Sequence, residues 1–305
     1  MDGLTISLLA AAVQSGTPIL YATLGEILTE KSGILNLGVE GIMMVGALAA
    51  FLTALTTGSP ALGFVVGGLA GALLAGVHAA VCLGFQGNQV VSGLALTILG
   101  TGLANFLGTP FVGKSGPGFT AMPIPGLADL PLLGPVFFHQ DVLVYLSYLA
   151  VPLLWLFLRN TRWGLDLRSV GENPAAAAAN GLNVVVWRWI GTLAGGFLTG
   201  LGGAYLSLAY THLWTNGLSA GRGWIAVALV IFAFWRAERA MLGAYLFGGV
   251  MAFQLRLQAA GTHLPSSLLL MLPYALTVIV LVLASWRQMR SAMPAGLGIN
   301  IEPPD

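Results

Sequence analysis

The chain has 305 residues, 57% of them apolar and only 8% charged, with a formal net charge of +1 and a mean hydropathy of +0.86. A soluble domain carries about 25% charged residues, so this composition cannot cover a water-facing surface, and lipid is the solvent it suits. The basic residues form no cluster of the kind a nucleic-acid partner needs. A single cysteine, Cys82 in an apolar run, excludes an intrachain disulfide framework and reads as a small core residue.

In chain order, Met1-Asp2-Gly3 places no basic residue ahead of the first apolar run, so 4–28 is read as a retained span and not as a cleaved leader. Further apolar segments fall at 34–56, 61–85, 89–112, 141–158, 189–210, 223–235, 241–260 and 266–286. By the rule of ~20 apolar residues per crossing, the chain is expected to be an all-α, polytopic transmembrane helical bundle of about eight to ten spans. Residues 1–305 are read as one membrane domain. Gly33-Ile34-Leu35-Asn36-Leu37-Gly38 marks 34–56 as the span most prone to break into half-helices.

Nine spans place Lys31, Arg159, Arg162, Arg168, Arg188, Arg236, Arg239, Arg287 and Arg290 on one side, leaving Lys114, Arg222 and Arg256 elsewhere. Positive charge collects on the cytoplasmic side, which puts the N-terminus outside and the C-terminus in the cytoplasm. The external loop 113–140, rich in proline, is expected to fold as an irregular cap. The cytoplasmic loop 159–188 holds the densest cluster of charges. Gly63/Gly67 and Gly196/Gly200 have the spacing of closely packed membrane helices.

Residues 108–115, Gly-Thr-Pro-Phe-Val-Gly-Lys-Ser, match the phosphate-binding pattern GxxxxGK[ST] literally. That pattern works only between a strand and a helix whose amides cradle the phosphates. Here a membrane helix precedes it and Gly116-Pro117-Gly118 follows. We read no nucleotide site there.

Polar groups inside spans are costly and therefore functional candidates. Asn36 and Glu40 share a face at i, i+4 if helical. Glu40 is either a solute or gating contact or a group that pairs with a base or caps a half-helix N-terminus, the second being favoured. Asn88 is best placed to cap the helix that opens at Gln89. Asn105 lies deeper in that helix, as an interhelical hydrogen bond or a solute contact. His78 has no carboxylate a helical turn away, so it supports neither a proton relay nor a metal site, and His139, His212 and His263 are expected at solvated external ends. No spacing of catalytic groups is present, so the chain is read as no enzyme, binding no metal or cofactor.

Within Thr161 to Val185, Asn173-Pro174 has the cap and first-turn residues of a helix, five alanines follow, and Gly181 stands at the C′ position. A helix of about two turns over 173–181 is too short to span and is read as a docking element for a cytosolic partner.

Five blocks carry a family resemblance: GEILTEKSGILNLGVEGIMMVGA (25–47), NQVVSGLAL (88–96), GLDLRSVGENPAAAAANGLNV (164–184), GGFLTGLGGAYLSL (195–208) and GRGWIAVALVIFAFW (221–235). Together they resemble permease subunits of ABC importers of the branched-chain amino acid/ribose permease superfamily, in its nucleoside and simple-sugar branch. The resemblance implies a bundle lining half of a pore in a bacterial-type inner membrane. It also implies a second permease chain, identical or different, a cytoplasmic ATPase subunit that uses ATP and Mg, and an extracytoplasmic solute-binding protein. Gly171, Glu172, Asn173, Pro174, Ala177 and Gly181 match the family's coupling segment to the ATPase. Asp166 and Ser169 depart from the family pattern, and the alanine run implies docking that is less electrostatic than usual. Solute-pathway candidates are Asn36, Glu40, Asn88, Asn105, Phe106 and Tyr205, with Phe106, Tyr205 and Trp224 available to stack on a base. The competing expectation is an ion-coupled secondary transporter of a small polar solute, for which Glu40 is the buried carboxylate on offer.

Overall fold

A computed structural model describes residues 3–261, 265–285 and 293–300. Among them the chain forms twelve α-helices and no β-strand, only isolated bridges. They are α1 (Gly3–Lys31), α2 (Val39–Thr57), α3 (Pro60–Ala79), α4 (Gln89–Gly108), α5 (Val142–Asn160), α6 (Arg162–Glu172), α7 (Pro174–Ala179), α8 (Val184–Tyr205), α9 (Arg222–Phe232), α10 (Ala237–Ala259), α11 (Ser266–Leu270) and α12 (Leu272–Ser285). Wide turns of π-helix prolong α3 to Gly84 and α8 to Tyr210.

Among the described residues, seven helices are long and apolar enough to cross a membrane: α1, α2, α3, α4, α5, α8 and α10. The segments expected at 223–235 and 266–286 are the two that fall short. At 11 residues, α9 is only about 16 Å long, against a hydrocarbon core of ~30 Å. The last segment is interrupted at Met271. Arg287, Arg290 and His263 lie outside the described residues.

Glycine sets the packing. In lipid, helices associate through close contact of small residues, and α8 lies against α1, α2 and α3 on a glycine-lined surface. A β-carbon on Gly200 would stand 2.5 Å from the Gly67 carbonyl oxygen, and one on Gly46 would stand 2.6 Å from that of Gly200. The core around this seam is apolar, with Ile19, Leu24, Met43, Ala47, Phe51 and Leu229 buried. Outward faces carry exposed Leu, Val and Phe, as on α3 and α4, which suits contact with lipid.

Two breaks in the helices position the site. Between α1 and α2, residues 32–38 leave the helix, which places a non-helical stretch inside the segment expected as the span 34–56. Between α8 and α9, residues 211–221 run inward from the face where Leu213 and Trp214 bridge to Ser115 and Val112. That face also carries the irregular loop 113–140, tied down by Phe119 N–H to Leu208 O (2.8 Å) and Met122 N–H to Gln140 O (2.8 Å). Lys31, Arg159, Arg168 and Arg236 gather at the opposite end, called here the basic face.

Candidate functional site

The two breaks meet at Glu40, in the first turn of α2 and 7% exposed. Its Oε1 accepts from the Ser219 hydroxyl (2.5 Å) and the Gly221 amide (2.8 Å), and its Oε2 from the Gly223 amide (2.6 Å). Glu40 therefore caps the N-terminus of the half-helix α9, where unpaired amides and the helix dipole favour a negative charge. Arg222 is buried beside it, with Nη1 donating to Ser219 O (3.1 Å) and the guanidinium stacked 5.3 Å from the Tyr210 ring. The Tyr274 hydroxyl lies against Gly221, leaving no room there for a side chain.

Non-helical backbone at membrane depth must find its hydrogen bonds in protein, and several groups of 33–38 do so. The Leu35 amide donates to Gln89 Oε1 (2.8 Å), its carbonyl meets His78 Nε2 (3.0 Å), and the Asn36 amide donates to Glu26 Oε1 (3.2 Å). Thr97 donates to Leu37 O (2.8 Å), and Asn36 Oδ1 accepts from the Gly38 amide (2.8 Å). The segment climbs α4 from Gln89 to Thr97, a rise of about 12 Å, so Glu40 stands well inside the bundle.

At the basic face, α6 ends against the start of this break. A β-carbon on Gly171 would strike the Lys31 carbonyl and come within 3.1 Å of the Gly33 amide nitrogen. Gly33 itself adopts φ +93°, open to glycine alone at little cost, and a β-carbon there would meet the Arg188 guanidinium at 3.0 Å. Residues 293–300 lie across the same place. Gly296 N–H donates to Gly171 O (2.8 Å) and Gly298 N–H to Gly33 O (3.2 Å), while the buried Arg188 donates to Ile299 O (2.7 Å). Asn300 donates to Gln86 O (2.8 Å) and accepts from Gln89 Nε2 (3.0 Å).

Of the residues singled out in the sequence, Asn36 and Glu40 join this centre, and Asn105 holds its approach by accepting from the Gly217 amide (3.0 Å). Asn88 is the exposed cap of α4, accepting from the Val91 amide (3.0 Å). Phe106 is 76% exposed on the outer side of α4, turned away from Glu40, and Trp224 is partly exposed. Tyr205 is buried in a separate cluster, with its hydroxyl on Asp141 Oδ2 (3.4 Å). In the loop 159–188, the short helix is α7, capped by Asn173 Oδ1 on the Ala176 amide (3.0 Å), and Gly181 has φ +83°. Ala177 is buried against Val170 and Val184. Ala175, Ala176, Ala178 and Ala179 are exposed. His212 is tied to Phe119 O (2.9 Å) and so is not freely solvated as expected. Within the GxxxxGK[ST] match the amides of Gly113 and Lys114 are engaged by Trp214 O and Phe111 O, and that of Gly116 just after it by His212 O, so these three do not cradle a phosphate.

Sequence reasoning missed Glu26 and Glu30, 1% and 2% exposed at the end of α1, so Glu40 is not the sole buried carboxylate. Glu30 accepts from the Trp235 indole N–H. Their i, i+4 spacing on an apolar helix was the available signal, hidden because they sit where a span's charged flank was expected. It also missed α6, the burial of Arg188 against Gly296 and Ile299, Ser219 and the segment 293–300.

The family described as the branched-chain amino acid transport system permease component matches residues 7–281. The chain belongs to that family. The permease is 49% identical over 256 residues to a putative glucose ABC transporter permease protein of Haloferax volcanii, covering 83% of this chain and 78% of the relative. It is 36% identical over 283 residues to a nucleoside ABC transporter permease protein of Lactococcus lactis, covering 88% of each. It is 35% identical over 287 residues to a guanosine ABC transporter permease protein of Bacillus subtilis, covering 89% of each. No solved structure matches it significantly. The permease is thus a multi-pass membrane subunit of an ABC transporter, which sets aside the ion-coupled alternative.

Proposed function

We propose that the permease imports nucleosides or related sugar-containing solutes across a bacterial-type inner membrane, with ATP hydrolysed by a separate subunit docked on α6 and α7. The relatives named for nucleoside, guanosine and glucose transport support a solute carrying a hydroxylated sugar ring. The basic face is then cytoplasmic by the positive-inside rule, with Lys114 and Arg256 at the other end. A solute-binding protein delivers solute to the face carrying 113–140 and 211–214, and a second permease chain completes the pore.

The observation that carries this reading is the physical path from coupling surface to site. Gly171 at the end of α6 touches Lys31 and Gly33, and from Gly33 an unwound segment of five residues leads to Glu40. Movement of α6 and α7 therefore pulls on the strand of chain that places Glu40 on the α9 N-terminus. With Glu40 bound to Ser219, Gly221 and Gly223, the re-entrant loop is held in; releasing those bonds opens a polar gap lined by Asn36, Ser219 and Arg222.

Ala178→Glu, at an exposed position, tests the surface. Co-purification of the ATPase and ATP-dependent uptake of labelled guanosine and glucose should both fall, at an unchanged Tm. Uptake that persists, or that stops when the proton gradient is collapsed with ATP still present, refutes the reading.

A further inference from the structure

At the basic face, the ends of α1, α5 and α6 and the turn from α9 into α10 line an open cavity of about 490 Å³. Four cations line it, Lys31, Arg159, Arg168 and Arg236, against two carboxylates, Glu172 and Glu238. Each carboxylate faces a cation, Glu172 at 4.0 Å from Lys31 and Glu238 Oε1 at 2.5 Å from Arg236, while Glu238 Oε2 is buried without a hydrogen-bond partner. Among the described residues, Arg159 and Arg168 have no carboxylate at ion-pair distance. Arg159 stacks 5.3 Å from the Trp155 ring, and Arg168 Nε only approaches Gly164 O at 3.4 Å. A net positive pocket in which two guanidinium groups have no carboxylate partner is a place for an anion.

The wall opposite is held under strain. Phe234 and Trp235 are consecutive non-glycine residues with φ +55° and +54°, a conformation that persists only where its surroundings impose it. Trp235 is fixed in it by the bond of its indole to Glu30. The cavity thus has rigid aromatic sides, and beside Trp155 the α5 residues Leu153 and Leu156 are exposed on an apolar surface. Charged lining next to a lipid-facing helix suits an anion that bears an apolar attachment.

We infer that this cavity binds a phosphate-bearing anion, seated by Arg159 and Arg168 and flanked by Trp155 and Trp235. The planar guanidinium fork matches phosphate oxygens, and basic pockets between membrane helices at the cytoplasmic side accept anionic lipid headgroups. The phosphate has two sources, a phospholipid headgroup from the adjoining leaflet or a soluble phosphate compound. Either would bridge α5, α6 and the α9–α10 turn next to Glu172, so occupancy would brace the coupling surface. The inference stands apart from the identity of the transported solute.

Native mass spectrometry of the purified permease, titrated with phosphatidylglycerol, phosphatidylcholine or pyrophosphate, tests it. Phosphatidylglycerol should be retained about tenfold more than phosphatidylcholine, and Arg159→Gln/Arg168→Gln should abolish the preference while Lys114→Gln, at the opposite end of the bundle, keeps it. Binding of pyrophosphate that displaces the lipid and is lost in the double variant supports the same site with a soluble occupant. Should the double variant not fold, Arg159→Lys, which keeps the charge without the fork, must lower retention severalfold. Equal retention of both lipids with no pyrophosphate bound, or a preference that survives these substitutions, overturns the inference.

Discussion

Glu40 shows why a single side chain can govern a loop. It satisfies two amides at a helix N-terminus and one hydroxyl, and hydrogen bonds to a charged acceptor contribute about 1.5–3 kcal/mol each. Glu40→Gln keeps the shape but turns an amide group toward donors. We expect a Tm several degrees lower and ATP-dependent guanosine uptake reduced roughly tenfold, measured by thermal unfolding and vesicle transport; an unchanged Tm would contradict the capping role. Asp141 is the parallel case at the opposite end. It caps α5 through the amides of Leu143 and Val144, and burial pushes its carboxyl above the usual range against the pull of those amides. Asp141→Asn retains the cap without a buried charge and should leave Tm level or raise it, whereas Asp141→Ala should cost about 1 kcal/mol. The sequence made Glu40 conspicuous because it stands alone in an apolar run. Ser219 and Gly223 were not, since a small residue acquires its role only from the carboxylate that a distant helix brings to it.

At the scale of elements, seven helices were legible as apolar runs because lipid demands about twenty such residues whatever the packing. The breaks were partly legible: glycines and Asn36 marked 33–38, but nothing in 211–221 signalled that the chain turns back inside the bundle. The helix α6 escaped notice for a related reason. Its sequence, RWGLDLRSVGE, holds two glycines and weak formers, and it is fixed by packing of Leu167 and Val170 and by the Thr161 cap on the Gly164 amide (3.0 Å). The contact of α6 with the break can be probed directly. Gly171→Ala drives a methyl group into the Lys31 carbonyl, an overpacking of about 1–3 kcal/mol. ATPase docking should survive on the exposed face of α7 while uptake falls on the order of tenfold, and co-purification alongside transport separates the two. Loss of docking together with uptake would mean that α6 serves as scaffold and transmits nothing.

For the whole molecule, the basic face is closed by chain from four regions, 31–33, 86–89, 171–188 and 293–300. Their meeting was invisible in sequence, because 293–300, Met-Pro-Ala-Gly-Leu-Gly-Ile-Asn, is short, rich in glycine and proline and without periodicity. The buried Arg188 depends on it, taking carbonyls of Gly296 and Ile299, and leaving such a charge unpaired costs about 3–5 kcal/mol. Truncation before Met293 should therefore lower Tm by several degrees and increase solute leak in vesicles; an intact Tm would show that the segment merely rests on the surface. This arrangement also has a temporal side. Residues 293–300 are synthesised after every helix they bind, so the Gly33 carbonyl, the Gly171 carbonyl and the Arg188 guanidinium leave the ribosome before the segment that engages them. The ribosome thus produces an unlatched form first, and the barrier at this face closes only after the helices that frame it have been made.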